Sequence, residues 1–378
     1  MKAVIAAFAR SPQQFARKGP FAQLRPDTMA AQVVTGLLRR TDFDPALIED
    51  VILGCAYPEG PQGSNLARIV AFLCNLPQEV GGMTVNRFCG SSMSAIHIAA
   101  AQIEAGVGDA YLCVGVESMS MVPQGGFNKS PNPALFGRYS DAYITMGETA
   151  ENVAKRYHVA RHDQEVLAVD SHRKAAQARE QGRLRDEIVP IQLESGELID
   201  SDGCIRPGTT LEALAALRPV FAADGVVTAG TSSPLTDGAS ALLVTSDEFA
   251  ARHSLKPLAR IKAMATIGCD PAVMGIGPIP ATRKAMKRAG LDVAALDVIE
   301  INEAFASQAL ACIRELQLDP AKINVDGGGM ALGHPLGATG ARITGKAASL
   351  LLRDKGRYAL ATQCIGGGQG IATVLETV

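Results

Sequence analysis

Short apolar runs alternate along this chain with stretches whose apolar residues recur every three or four positions. That alternation predicts an α/β fold. Residues 3–8 read as a first buried strand, Asp50–Gly54 as a second and residues 83–88 as a third. The third runs into a tight turn, Cys89-Gly90-Ser91-Ser92. A helix is predicted next, with Met93, Ile96, Ala100, Ile103 and Val107 on one face and Gly106 and Gly108 to stop it. Residues 110–116 return as a strand.

The last third of the chain repeats this grammar. Asp297-Val298-Ile299 echoes Asp50-Val51-Ile52, and Tyr358 onward echoes Tyr111 onward, both at an offset of 247 residues. Residues 322–325 lead into the glycine-rich turn 327–340 as residues 84–88 lead into Cys89. Two related halves are expected, 1–117 and 246–378. Between them residues 118–245 differ in character, with Pro123, Pro131, Pro133 and a charged helix expected around residues 151–181. This stretch reads as a loop or lid insertion whose end returns to the first half, and such excursions from α/β cores often bind substrate.

Composition narrows the function classes. The chain has 378 residues, 47% of them hydrophobic, enough for a large core and too apolar for a disordered chain. The formal net charge is −2 and the basic residues are scattered, which argues against nucleic acid as a partner. Aromatics are 4% and Trp is absent, so no base-stacking surface is expected. No apolar run approaches the roughly 20 residues of a membrane span. At the N-terminus Arg10 and Pro12 follow the apolar stretch with no A-x-A pattern, so no leader is read there and a cytoplasmic location is expected. The eight cysteines form no C-x-x-C pair, so they are expected to be reduced thiols without a metal.

Several residues stand out chemically. Cys89 lies between a strand and a helix N-terminus, where unpaired N–H groups favour a thiolate. It reads either as an acyl-transfer nucleophile or as a buried thiol at a turn. His334 is the one histidine of six in a Pro/Gly loop, at the mirror position of the Cys89 turn; a structural loop histidine is the other reading. Cys364 precedes Ile365-Gly366-Gly367-Gly368, where glycines let backbone N–H groups approach a ligand, or simply make a hairpin turn. Asn302 and Glu303 follow an apolar strand at its carboxyl end, where open α/β sheets bind ligands. No Rossmann fingerprint is present.

Taken together these blocks resemble the thiolase family over essentially the whole chain. Val85–Ser92, with Cys89 inside it, looks like its nucleophile block, and Asn302-Glu303-Ala304-Phe305, Gly333-His334-Pro335-Leu336-Gly337 and Cys364–Gly368 like its other three. Ser92 stands where many members have glycine. The resemblance implies two βαβαβαββ halves packed as five layers, α-β-α-β-α, with a lid insertion. It implies that Cys89 carries the acyl group, that His334 accepts its proton, and that Asn302 holds a water completing a first oxyanion hole. It implies that Cys364 shuttles a proton at the α-carbon and that the N–H groups of Cys89 and Gly366 form a second oxyanion hole. Such donors are needed because cleaving a 3-ketoacyl thioester expels an enolate.

Coenzyme A is then a co-substrate, with no tightly bound cofactor expected. Arg206 and Ser233 match family positions near its nucleotide and pantetheine; Met146, Ala304 and Phe305 match positions along the arm. Arg206 also reads as a plain surface charge. The blocks at residues 54–60, 217–219 and 274–278 look most like bacterial degradative 3-ketoacyl-CoA thiolases of fatty-acid β-oxidation. Thr145 stands before Met146 where biosynthetic acetoacetyl-CoA thiolases carry histidine, which weighs against that alternative. A ketoacyl synthase needs a second histidine in place of Asn302, and an inactive CoA-binding relative would lack motif residues that are intact here. The family implies a homodimer or homotetramer and raises a hydratase/dehydrogenase subunit of β-oxidation as a partner.

Overall fold

Strand β1 (Ala3–Arg10) opens the computed structural model, which describes residues 2–378. It is followed by α1 (Pro26–Thr41), β2 (Asp50–Gly54), α2 (Leu66–Leu73), β3 (Gly81–Val85), α3 (Ser91–Glu104) and β4 (Ala110–Ser118). A long excursion carries α4 (Met146–Arg156) and α5 (Arg161–Glu180) before β5 (Thr236–Ser246) rejoins the sheet. Then come β6 (Ala259–Gly268), α6 (Pro278–Ala289), β7 (Val298–Ile301) and α7 (Ala306–Leu316). The chain closes with α8 (Leu336–Asp354), β8 (Tyr358–Ile365) and β9 (Gln369–Glu376).

The strands form one continuous sheet in the order β7-β8-β9-β6-β1-β5-β4-β2-β3. Strand β2 is parallel to β4 with Val51 opposite Leu112, and β7 is parallel to β8 with Val298 opposite Ala359. These registers map onto one another at the offset of 247 seen in the sequence. The halves meet where β1 pairs antiparallel with β6, Ile5 opposite Ala259.

Alternate strand residues explain the layering. Val51, Leu53 and Leu112 pack outward against α1 and α2. Ile52, Tyr111 and Cys113 pack inward with α3 and α8, which are sandwiched between the two half-sheets with Val298, Ala359 and Ala361. Ile299, Ile301 and Leu360 face outward again, against α6 and α7. Five layers result. In the middle one, α3 and α8 cross closely: a Cβ on Gly340 would lie 2.4 Å from the Met93 nitrogen. Ser92 belongs to this crossing, because its hydroxyl accepts from Ala341 N at 2.8 Å. A serine in place of glycine here ties the two central helices together.

Three local expectations are corrected. Helix α3 ends at Glu104, and Val107 lies outside it and exposed, because Gly106 turns the chain at φ +71°. The charged helix around residues 151–181 is two helices, broken where His158 takes a left-handed φ of +52°. Residues 322–325 make no full strand. Ile323 alone bridges Ile299, because Asn324 turns at φ +44° and its side chain bonds both backbone groups of Ile301 instead. Among the described residues no helix is long and apolar enough to cross a membrane.

Candidate active site

Cys89 sits in the turn between β3 and α3. The turn is sharp: Phe88 holds φ +44°, and its carbonyl accepts from Ser91 Oγ at 2.6 Å. Ser91 Oγ also accepts from Arg87 N at 2.9 Å, so the hydroxyl staples the turn on both sides. The result presents a nearly buried thiol at the start of a helix.

The turn between β8 and β9 comes to meet it. The Gln363 amide donates to the main-chain oxygen of Cys89. The Gly366 N–H faces the Cys89 sulfur, and the charge of a Cys89 thiolate would reach Cys364. Burial pushes the Cys89 thiol up to about 11, the Gly366 N–H opposing it. Burial, and then Cys89 itself, pushes Cys364 well above the ordinary thiol range. At rest both sulfurs are therefore thiols.

His334 lies in the loop before α8. Gly333 enters that loop at φ +106°, which a side chain would strain. His334 N donates to Thr236 Oγ1 at 3.1 Å, and its Nδ1 is 2.6 Å from Thr339 Oγ1 on the first turn of α8. Burial, then the charge of Arg342, lowers the imidazole to about 3, so it rests neutral. Asn302, just past β7, places Nδ2 3.4 Å from either ring nitrogen. Its Oδ1 is buried without a protein partner.

Met146, Ala304 and Phe305 share one apolar cluster with Cys364. Ser233 N donates to the Ala304 oxygen at 3.0 Å, which holds the excursion onto that wall. The Met146 sulfur is 3.3 Å from where a Gly366 Cβ would be, so glycine keeps that passage open. Arg206 stands apart: it is exposed, its guanidinium lies 5.0 Å from the Phe15 ring centre, and its backbone N–H donates to His172 Nδ1 at 3.1 Å.

Other residues that hold the site escaped the sequence reading. The buried Glu117 carboxylate accepts from Ala56 N at 2.8 Å, Gly337 N at 2.9 Å, Gln62 Nε2 at 2.9 Å and Tyr57 N at 3.2 Å. It thereby joins the loop after β2 to the start of α8. Glu303, which the sequence did single out beside Asn302, accepts from Ser171 Oγ, Asn324 Nδ2 and Met330 N, fixing the turn ahead of His334. Glu117, Gln363 and Thr339 left a faint signal: each is polar within an apolar run. No group of three or more His, Cys, Asp or Glu among the described residues is placed to hold a metal ion.

Comparison with known proteins agrees with this arrangement. Residues 3–248 match the N-terminal domain of thiolase and residues 255–377 the C-terminal domain. The chain is 48% identical to a 3-ketoacyl-CoA thiolase of Shewanella denitrificans over the full length of both. It is 46% identical to one of Marinobacter nauticus, over 99% of this chain and 98% of that one. It is 44% identical to one of Bacillus subtilis, over 99% of each.

Proposed function

The chain belongs to the thiolase family, and from that premise we propose that it is an acyltransferase cleaving 3-ketoacyl-CoA with CoA to acetyl-CoA and a shortened acyl-CoA. The observation that carries the reading is the meeting of two thiols and one N–H: Cys89, Cys364 and Gly366.

Cys89 Sγ attacks the 3-keto carbon while its proton passes to His334. The Thr339 hydroxyl favours the tautomer with the proton on Nδ1, because it can also donate to the Pro335 oxygen. That leaves the Nε2 lone pair to act as base, shared at rest only with the Asn302 amide 3.4 Å away. The alkoxide that forms is held by His334 and by a water on Asn302, whose Oδ1 is free to bind it. The bond between the α- and β-carbons then breaks. Its electron pair moves into an enolate whose oxygen is held by the N–H groups of Cys89 and Gly366. Cys364 gives its proton to the α-carbon, and acetyl-CoA leaves. In the second half Cys364 takes the proton of incoming CoA, whose sulfur attacks the acyl carbon and expels Cys89, and Cys89 takes back the proton held by His334. Burial leaves both thiols and the imidazole neutral at rest, so Cys89 passes its proton to His334 during its attack and not before it.

Coenzyme A runs along the wall of Met146, Ala304 and Phe305, with Ser233 beside the pantetheine and Arg206 at the nucleotide. The degradative reading rests on the relatives' names and on Thr145, whose side chain caps α4 in a capping box with Glu148. From the sequence and its family resemblance, the reading extends to halves 1–117 and 246–378 about the insertion 118–245, a cytoplasmic location and a homodimer or homotetramer. Strand β3 supports the dimer: it ends the sheet with one edge unpaired, a surface proteins normally cover.

The test is CoA-dependent cleavage of acetoacetyl-CoA against a longer 3-ketoacyl-CoA. Faster turnover of the longer substrate is expected. Mass spectrometry after acetyl-CoA should place one acetyl group on Cys89, and an adduct on Cys364 would reverse the two roles.

A further inference from the structure

Behind His334 the central layer holds two opposite charges whose polar atoms are unsatisfied. Glu300 lies on β7 two residues before Asn302, so both side chains leave the same face of the strand. Arg342 lies on α8 one turn beyond Thr339, the residue bonded to His334. Both are fully buried. Neither carboxylate oxygen of Glu300 has a hydrogen-bond partner, nor does Nε or Nη1 of Arg342. Unpaired buried charges of this kind are rare and call for a reason.

The neighbouring charges are otherwise engaged. Lys346, one turn further along α8, is bonded to Glu187 and Asp326. Arg10 of β1 is bonded to Glu187 and Asp202. Asp326 also meets Arg183 and Arg353. Glu303 is spent on Ser171, Asn324 and Met330. Glu300 and Arg342 are left on two packed elements, β7 and α8, not in ion-pair contact but each within reach of the other's charge, and the guanidinium charge also reaches His334.

We propose that Glu300 and Arg342 are a pair of positioning residues, a buried counter-charge couple that sets whether His334 can take the Cys89 proton. With Glu300 ionised, the imidazole sees a neutral couple. With Glu300 protonated, it sees a lone guanidinium that opposes the imidazolium. This rests on the reading of His334 as the base. Burial pushes the Glu300 carboxyl up to about 8, with Arg342 and Lys346 opposing it and Asp326 and Glu187 adding to it. Protonation below that point uncovers the guanidinium, so the acid limb of turnover belongs to Glu300.

The experiment measures kcat and iodoacetamide labelling of Cys89 from roughly pH 6 to 10. The wild type should lose turnover as pH falls through about 8. Glu300→Gln is locked in the uncovered state: kcat and labelling should drop roughly tenfold at high pH, and the limb should flatten. Glu300→Gln/Arg342→Met removes both charges and should recover the rate, still without the limb. The couple is overturned by a flat wild-type profile, by a wild-type limb in either variant, or by a double variant as slow as the single one. Should Glu300→Gln fail to fold, the wild type and the double variant decide alone. His334→Asn separates the two readings. Labelling at the wild-type rate in that variant rejects His334 as base, whereas slow labelling there with an intact limb in Glu300→Gln rejects the couple only.

Discussion

The side-chain amide of Gln363 donates to the main-chain oxygen of Cys89, joining the strand that carries one thiol to the turn that carries the other. The bond joins the two halves at the start of α3, and Gln363 is fully buried. Gln363→Leu keeps the bulk and leaves the Cys89 oxygen without that donor. The expected cost is about 1–3 kcal/mol of stability, the usual penalty for an orphaned buried acceptor. Turnover should fall more than KM rises, since the bond sets the spacing of the two sulfurs and not the grip on CoA. Urea unfolding and steady-state kinetics on the same preparation check both.

His334→Asn should fold, because the loop is held by its backbone bond to Thr236 and by Glu117 at the start of α8. It should lose ~10²–10⁴-fold in kcat, the range for a general base. Thr339→Val, which removes the partner of Nδ1, should lose less and leave KM unchanged. Near-normal turnover with His334→Asn sinks the assignment.

Much of this site was legible because its chemistry comes with punctuation. Cys89, His334 and Cys364 each stand beside glycines or prolines that no regular element needs. The register of the two halves was legible too, since the repeated Asp-Val-Ile and Tyr segments align the strands residue for residue. What escaped depends on distance along the chain. Gln363 bonds a residue 274 positions away, and Glu117 reaches Gly337 across 220, so nothing local marks either as a partner. The break at His158 was hidden for another reason: no glycine or proline announces that left-handed turn.

Arg206 tests the nucleotide end of the CoA path. It stacks on Phe15 and touches none of the reacting groups, so its loss should weaken ground state and transition state alike. Arg206→Ala should therefore raise KM for CoA several-fold with kcat nearly unchanged. An unchanged KM would make it the plain surface charge that its neighbours allow.

Acid stability should be governed by the buried ion pairs beside α8. Burial alone would raise Glu187, but Lys346 and Arg10 hold its carboxyl below the ordinary range. A folded-state value below the unfolded one means the native protein binds the proton less readily. The stabilisation is thus complete above about 4.5 and is lost as pH falls through the depressed native value. Glu187→Gln should cost about 3–5 kcal/mol near neutrality, because Arg10 and Lys346 each lose a partner. Its stability should also fall less steeply with acid than that of the wild type. Thermal melts between roughly pH 3 and 7 measure both slopes.

The division of labour between the two thiols is the most exposed part of the mechanism. Acyl transfer between an acyl-CoA and Cys89 moves no proton on carbon, whereas cleavage leaves an enolate that must be protonated. Cys364 is the donor in reach: it is buried, it feels the charge of Cys89, and the glycines after it leave room for the thioester. Cys364→Ala should keep acyl exchange at Cys89. It should lose cleavage of 3-ketoacyl-CoA and, with it, exchange of the acetyl-CoA methyl protons into deuterated water. A thiol that merely fills the core predicts a different pattern, in which all three activities persist or all decline with stability. Proton NMR of acetyl-CoA incubated with the variant in deuterium oxide distinguishes them. Washout of the methyl signal at the wild-type rate removes Cys364 from the proton transfer, and a persistent signal beside intact acyl exchange assigns the step to it.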